Sequence, residues 1–229
     1  MEISKMKTLI LSCPTLKGEL ESALRQYGSQ AKVIYLPATL HGEIQKIRPT
    51  LQGIIDGNKE FERIVILLSG CGGSTAGLRA TTAELVIPKT HDCLDILLAD
   101  KDTCQVAQRD VRGIYMTGSW YYYHMQTLLN ADKLVEEMGY EAAAVRLRSI
   151  FGSFNQFYII DTGVFDIAAI QQGLASLVKI LDGSVRVVTG GYGFLRKLAA
   201  DAVTAEYFYI TPKGGHTKVV PYRLDEEIK

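Results

Sequence analysis

Short apolar runs alternating with longer amphipathic stretches constrain this chain more than any other feature. Thr8 to Ser12 (TLILS), Lys32 to Leu36 (KVIYL), Arg63 to Leu68 (RIVILL), Glu84 to Ile87 (ELVI) and Gly113 to Met116 (GIYM) read as strands. Between them, Leu16 to Tyr27 and His41 to Asp56 read as helices, and Asp132 to Ile150 as one long helix. The second half repeats the pattern. Phe157 to Ile160, Val185 to Val188 and Tyr207 to Ile210 are strands, with helices running to about Ile180 and through Ala199. This order predicts an α/β fold: a mainly parallel, Rossmann-like sheet or sheets with flanking helices. At 229 residues the chain accommodates two closely packed lobes. The first, residues 1–130, carries the Cys/His residues and the second is 131–229; one continuous domain is the alternative. The charged tail from Tyr222 is expected to fray.

Charge removes some function classes. With 25 basic and 25 acidic residues the formal charge is zero, which argues against nucleic acid or an anionic membrane as partner. No apolar run approaches the roughly 20 residues of a membrane helix. The basic-then-apolar start is too short in its core for a signal peptide and is followed at once by Lys17, Glu19 and Glu21. The protein is therefore expected to be cytoplasmic. There, its four cysteines (Cys13, Cys71, Cys93 and Cys104) read as thiols or metal ligands rather than disulfides.

Placed on the strand scheme, several of these residues gather. Cys13 follows the first strand, His41 the second, Cys71 the third, and His91, Asp92 and Cys93 the fourth. Ligands of parallel α/β sheets bind at the carboxyl ends of the strands, where the strand order reverses. Thiolate and neutral imidazole are the donors zinc prefers, and thiolates also hold iron–sulfur clusters. The spacing matches no standard zinc-ribbon or ferredoxin signature. A metal-free alternative makes Cys71 or Cys93 a nucleophile, with His91 or His41 as base and Asp92 orienting the ring.

The loop from Ser69 to Gly77 (SGCGGSTAG) resembles a phosphate cradle but lacks the Lys-Ser/Thr pair of a P-loop. Gly70, Gly72 and Gly73 are candidate cofactor-binding positions within it. A second glycine loop, Thr189 to Gly193, comes from the other half. The aromatic segment GSWYYYH splits between core and cleft, with Trp120 the candidate ligand contact. Asp161, after a strand in IIDTG, either faces the cleft or caps the following turn.

Together these residues resemble the domain-of-unknown-function 1638 family. The likeness is carried by Cys13 with its helix, Leu40-His41, Gly70-Cys71-Gly72, Leu85 to Pro88 with His91-Asp92-Cys93, Thr117 to Trp120, Ile160 to Gly163, and Phe194 to Leu198 through Tyr209 to Gly215. Cys104 matches nothing in the pattern. TPKGGH stands where a shorter Pro-Gly turn is expected, and GGYGFLRKL lacks an acidic residue before its Leu-Arg pair. Members are associated with anaerobic bacteria and methanogens, near corrinoid-dependent methyltransferase systems. The resemblance thus implies a supporting role in one-carbon metabolism, with a corrinoid or a corrinoid-system protein as possible ligand or partner. The expectation is a metal-binding protein, zinc or iron–sulfur, with Cys71, His91 and Cys93 as core ligands and Cys13 or His41 completing the shell. The alternatives are a two-lobed small-ligand module without metal and a cysteine-based enzyme.

Overall fold

A computed structural model describes residues 6–125 and 130–218. Two sheets form. The first has strand order β2-β1-β3-β4-β8, from β1 (Thr8–Ser12), β2 (Lys32–Tyr35), β3 (Arg63–Leu67), β4 (Glu84–Pro88) and β8 (Phe208–Thr211). Its first four strands are parallel, and β8 joins antiparallel to β4. The second is all parallel, β5 (Gly113–Met116), β6 (Gln156–Asp161) and β7 (Ser184–Thr189) in that order.

Alternation along the strands sends side chains to two cores. Ile10, Val65 and Val86 join α1 (Lys17–Gln26), α3 (Cys93–Leu98) and α8 (Gly193–Ala199) on one face of the first sheet. Leu9, Leu11, Ile64, Ile66, Leu85 and Ile87 meet the Ile47, Leu51 and Ile55 stripe of α2 (Ile44–Gly57) on the other. That four-residue spacing is the period of one helix face. In the second sheet, Met116, Phe157 and Ile159 pack with α4 (Gly118–Met125), α5 (Ala131–Met138), α6 (Tyr140–Phe151) and α7 (Ile167–Ile180).

The expected split near residue 130 is not where the sheets divide. The second sheet is built from residues 113–189, and α8 and β8 return to the first. The YFYI strand finds its partner in β4, at Pro88↔Phe208 and Leu85↔Thr211, because an antiparallel edge partner needs only a free ladder. The long helix expected over Asp132 to Ile150 is two helices. They break at Gly139, whose φ of 80° ends α5 and starts α6. His41 lies in a 3-10 turn, Ala38–Gly42, rather than in α2.

The carboxyl ends of the two sheets converge. Gly18 N donates to Ser119 Oγ at 2.9 Å, and Thr117 Oγ1 donates to the Thr15 carbonyl at 3.0 Å. Phe165 fills the seam: a Cβ on Gly18 or Gly118 would fall 2.2 or 2.1 Å from its ring. The two helix starts therefore approach this closely only as glycines. Among the described residues no helix is long and apolar enough to cross a membrane.

Candidate functional site

In the strand order β2-β1-β3, the chain leaves β1 in one direction and returns on its other side. Between β1 and β3 the strand order reverses, the position where open α/β sheets bind ligands. Cys13 directly follows β1, Cys71 follows β3, and Cys93 opens α3 after β4. Three adjacent parallel strands thus deliver one cysteine each to the same edge.

Cys13 caps a 3-10 turn, Pro14–Leu16, that runs into α1. Its Sγ lies 3.0 Å from Thr15 Oγ1. Hydrogen bonding from the buried Cys93 thiol is the largest influence on Cys13. It outweighs burial and, with the Thr15 hydroxyl and backbone N–H and the nearby His41, brings the Cys13 thiol from 9.0 down to about 6. Cys71 is also lowered, chiefly by Cys93. Cys93 is raised well above the ordinary value, because it keeps its proton to donate to Cys13 and Cys71 and is itself buried. One protonated thiol therefore favours the ionised form of two others. All four cysteines are free. Cys104 stands apart, pushed up to about 11 by burial.

Cys13 opens onto a cleft of about 440 Å³ between the lobes. Thr15, Ala38, Thr39 and His41 line it from the first lobe, and Ser119, Trp120, Tyr123 and His124 from the second. The Trp120 and His124 rings pack at 4.3 Å. Burial, and then the charge of His41, lower the His124 imidazole, which favours its neutral form. His124 lies in the WYYYH run, but consecutive helical residues do not announce which of them face a cleft. Its part in the site was not foreseen.

His91 takes a different course from the one expected. Its Nδ1 lies 2.9 Å from Asp95 Oδ2, which also accepts the His91 backbone N–H. The ring is 54% exposed and lines a separate cleft of about 500 Å³ with Asp92, Asp95 and Arg109. Arg109 spans both carboxylates, at 2.8 Å to Asp92 and 3.2 Å to Asp95. Asp92 caps α3 by accepting from the Leu94 and Asp95 backbone N–H groups. The structure thus brings Cys13, Cys71 and Cys93 together with His41 nearby, and turns His91 away. Among the described residues, no group of three or more Cys, His, Asp or Glu side chains stands arranged to hold a metal ion.

The glycine loop that carries Cys71 is bonded to the loop that carries Cys93. Gly70 N donates to the His91 carbonyl at 3.0 Å and Gly73 N to the Gly70 carbonyl at 2.8 Å, so both donors are spent inside the protein. Ser69 and Thr90 hydroxyls meet at 2.5 Å, fastening the loop of Cys71 to that of Cys93. A Cβ at Gly70 would come 2.7 Å from the His91 carbonyl oxygen. Gly70→Ala is expected to cost about 1–3 kcal/mol, read as a lowered unfolding midpoint, because neither backbone can give way without moving a cysteine. An unchanged midpoint would contradict this contact. In the second glycine loop, Gly191 N and Tyr192 N donate to the carbonyls of Ala99 and Leu97, tying that loop to the end of α3. The Asp161 carboxylate accepts from Gly163 N at 2.9 Å and so caps its turn.

A family model described as "Protein of unknown function (DUF1638)" matches residues 35–199. The chain belongs to this family. The matched stretch of this DUF1638 protein contains His41, Cys71, His91, Cys93 and Trp120, while Cys13 precedes it. No curated protein and no solved structure matches the chain.

Proposed function

We propose that this DUF1638 protein is a thiol-dependent enzyme whose Cys13 thiolate acts on a small molecule held in the interlobe cleft. The observation that carries this reading is that the most acidified sulfur is also the one that opens onto the cleft. A thiolate, not a thiol, is the nucleophile, and a site at a helix start with hydrogen-bond donors to sulfur is the environment that produces one. Cys93 supplies the proton that stabilises it, and Thr15 orients it. Cys13 is preferred to the expected Cys71 or Cys93, because Cys71 is not among the described residues lining the cleft and Cys93 is buried and holds its proton. A reducing compartment such as the cytoplasm would keep all three thiols free. The test is brief alkylation of the native protein at pH 6.5 with iodoacetamide, followed by peptide mass spectrometry. Cys13 is expected to be labelled first; labelling no faster than at Cys104 would overturn the reading.

A second reading, metal binding, is favoured by the hydrogen bonding of Cys93 to both Cys13 and Cys71. Cys13, Cys71 and Cys93 are the donors that would hold zinc or an iron–sulfur cluster, with His41 the neighbouring imidazole. These soft donors suit either group in kind, although their present arrangement is not that of a formed site. Such a group would supply Lewis-acid or electron-transfer chemistry to the cleft, and its binding would release the Cys93 proton. Elemental analysis of anaerobically purified protein separates the two readings: stoichiometric metal supports the second, and three titratable thiols without metal support the first. At about 440 Å³ the cleft is at the small end for ligand sites, which supports a ligand smaller than a corrinoid. Any tie to one-carbon metabolism would run through a partner protein or a smaller ligand.

A further inference from the structure

The chemistry of the cleft wall says more about its ligand than the sulfur does. None of the described residues lining it is Lys, Arg, Asp or Glu. Three other clefts of similar size differ: one carries Asp92, Asp95 and Arg109, another Lys7, Lys32 and Arg63, and a third Asp56, Lys59 and Lys213. Apart from Cys13 itself and the His41 ring, the described lining has no charged side chain to replace the hydration that an ionic ligand would lose on entry. An anion would also approach a thiolate. What the cleft offers is the indole of Trp120, backed by the His124 ring, and the phenol of Tyr123 at the rim. Flat aromatic surfaces gain most from flat apolar partners.

Resting on the reading of Cys13 as the reactive sulfur, we propose that the cleft selects an uncharged, soft electrophile with a flat apolar body, and that Trp120 is the residue that determines this specificity. The body lies along the indole and its electrophilic atom meets Cys13 Sγ. The sulfur lone pair forms the new bond to that atom, the bond to the leaving group breaks, and the leaving group departs with the electron pair. Cys13 needs no base in this step, because its thiol has lost its proton before the attack.

Methanethiosulfonates test this, because each transfers its sulfenyl group to a thiolate with loss of methanesulfinate and only the side group varies. Rates of Cys13 modification by the benzyl, methyl, trimethylammonioethyl and sulfonatoethyl reagents are measured at pH 7. Each is divided by its rate with 2-mercaptoethanol. The benzyl reagent is expected to gain at least tenfold over both charged reagents. Trp120→Ala should bring its ratio down to the free-thiol value, and Trp120→Phe should retain most of the gain. Ratios near one for all four reagents, or a preference for the cation, would overturn the inference while leaving Cys13 reactive. Failure of Cys13 to react selectively with any reagent would instead remove the reading on which it rests. The reagent series on the unaltered protein decides the matter even if a Trp120 variant does not fold.

Discussion

Cys93→Ala is expected to shift the midpoint of Cys13 reactivity from about 6 towards the ordinary 9.0 of a free thiol, since it deletes the largest stabilising partner of the thiolate. At pH 6 half of the wild-type Cys13 is ionised. At a midpoint of 9 only about 0.1% would be, a roughly 500-fold loss. A less acidic thiolate is a better nucleophile, by about 20-fold over three pH units, so the net fall in rate at pH 6 is at most on the order of 20-fold. Thr15 and His41 remain in place and make the observed fall smaller. Cys93→Ser keeps a hydroxyl donor and should fall between the two. Equal midpoints in all three proteins would show that Cys93 is packing and not a proton donor.

Glu19→Gln should make the protein more stable at pH 8, by up to about 3 kcal/mol. Glu19 sits in the first turn of α1, fully buried, with Thr162 Oγ1 donating to its Oε1 at 3.0 Å across the lobes. Burial pushes its carboxyl from 4.5 up to about 7. The folded state therefore holds this proton more tightly than the unfolded chain. The stabilisation of the neutral acid is complete below pH 4.5 and is lost as pH rises towards 7. Above that, folding must bury a carboxylate whose Oε2 has no partner among the described residues. Glutamine is neutral at every pH and still accepts from Thr162. Denaturant unfolding at pH 5 and pH 8 reads the effect. The wild type should lose stability between them, and the variant should lose about 3 kcal/mol less. Parallel losses would refute a buried, protonated Glu19.

Strand positions were legible because apolar runs such as RIVILL have no other use in a chain of this composition. Strand pairing was not. Nothing in YFYI says that its partner is ELVIP, more than a hundred residues earlier, because periodicity reports which residues are buried and not against what. The break at Gly139 was hidden for a local reason: a lone glycine is tolerated within a helix, and only its positive φ turns the chain. The convergence of Cys13, Cys71 and Cys93 followed from a rule about strand ends, and the sheet order honours that rule. His91 obeyed the same rule and still left the site. Its neighbour one helical turn on, Asp95, captures the ring, a contact that side-chain spacing permits but does not require. Which sulfur is acidified depends on a proton shared across three loops, and no spacing in the sequence encodes that.

The central claim is that Cys13 is a thiolate at neutral pH, and its pH–reactivity profile tests it most directly. The rate of modification of Cys13 by iodoacetamide is followed by peptide mass spectrometry from pH 4.5 to 9.5, with Cys104 in the same molecule as internal reference. The account predicts that the Cys13 rate rises through a single midpoint near 6 and is level by pH 7.5, while Cys104 is still rising at the top of the range. A Cys13 rate that climbs through a midpoint near 9 would contradict it.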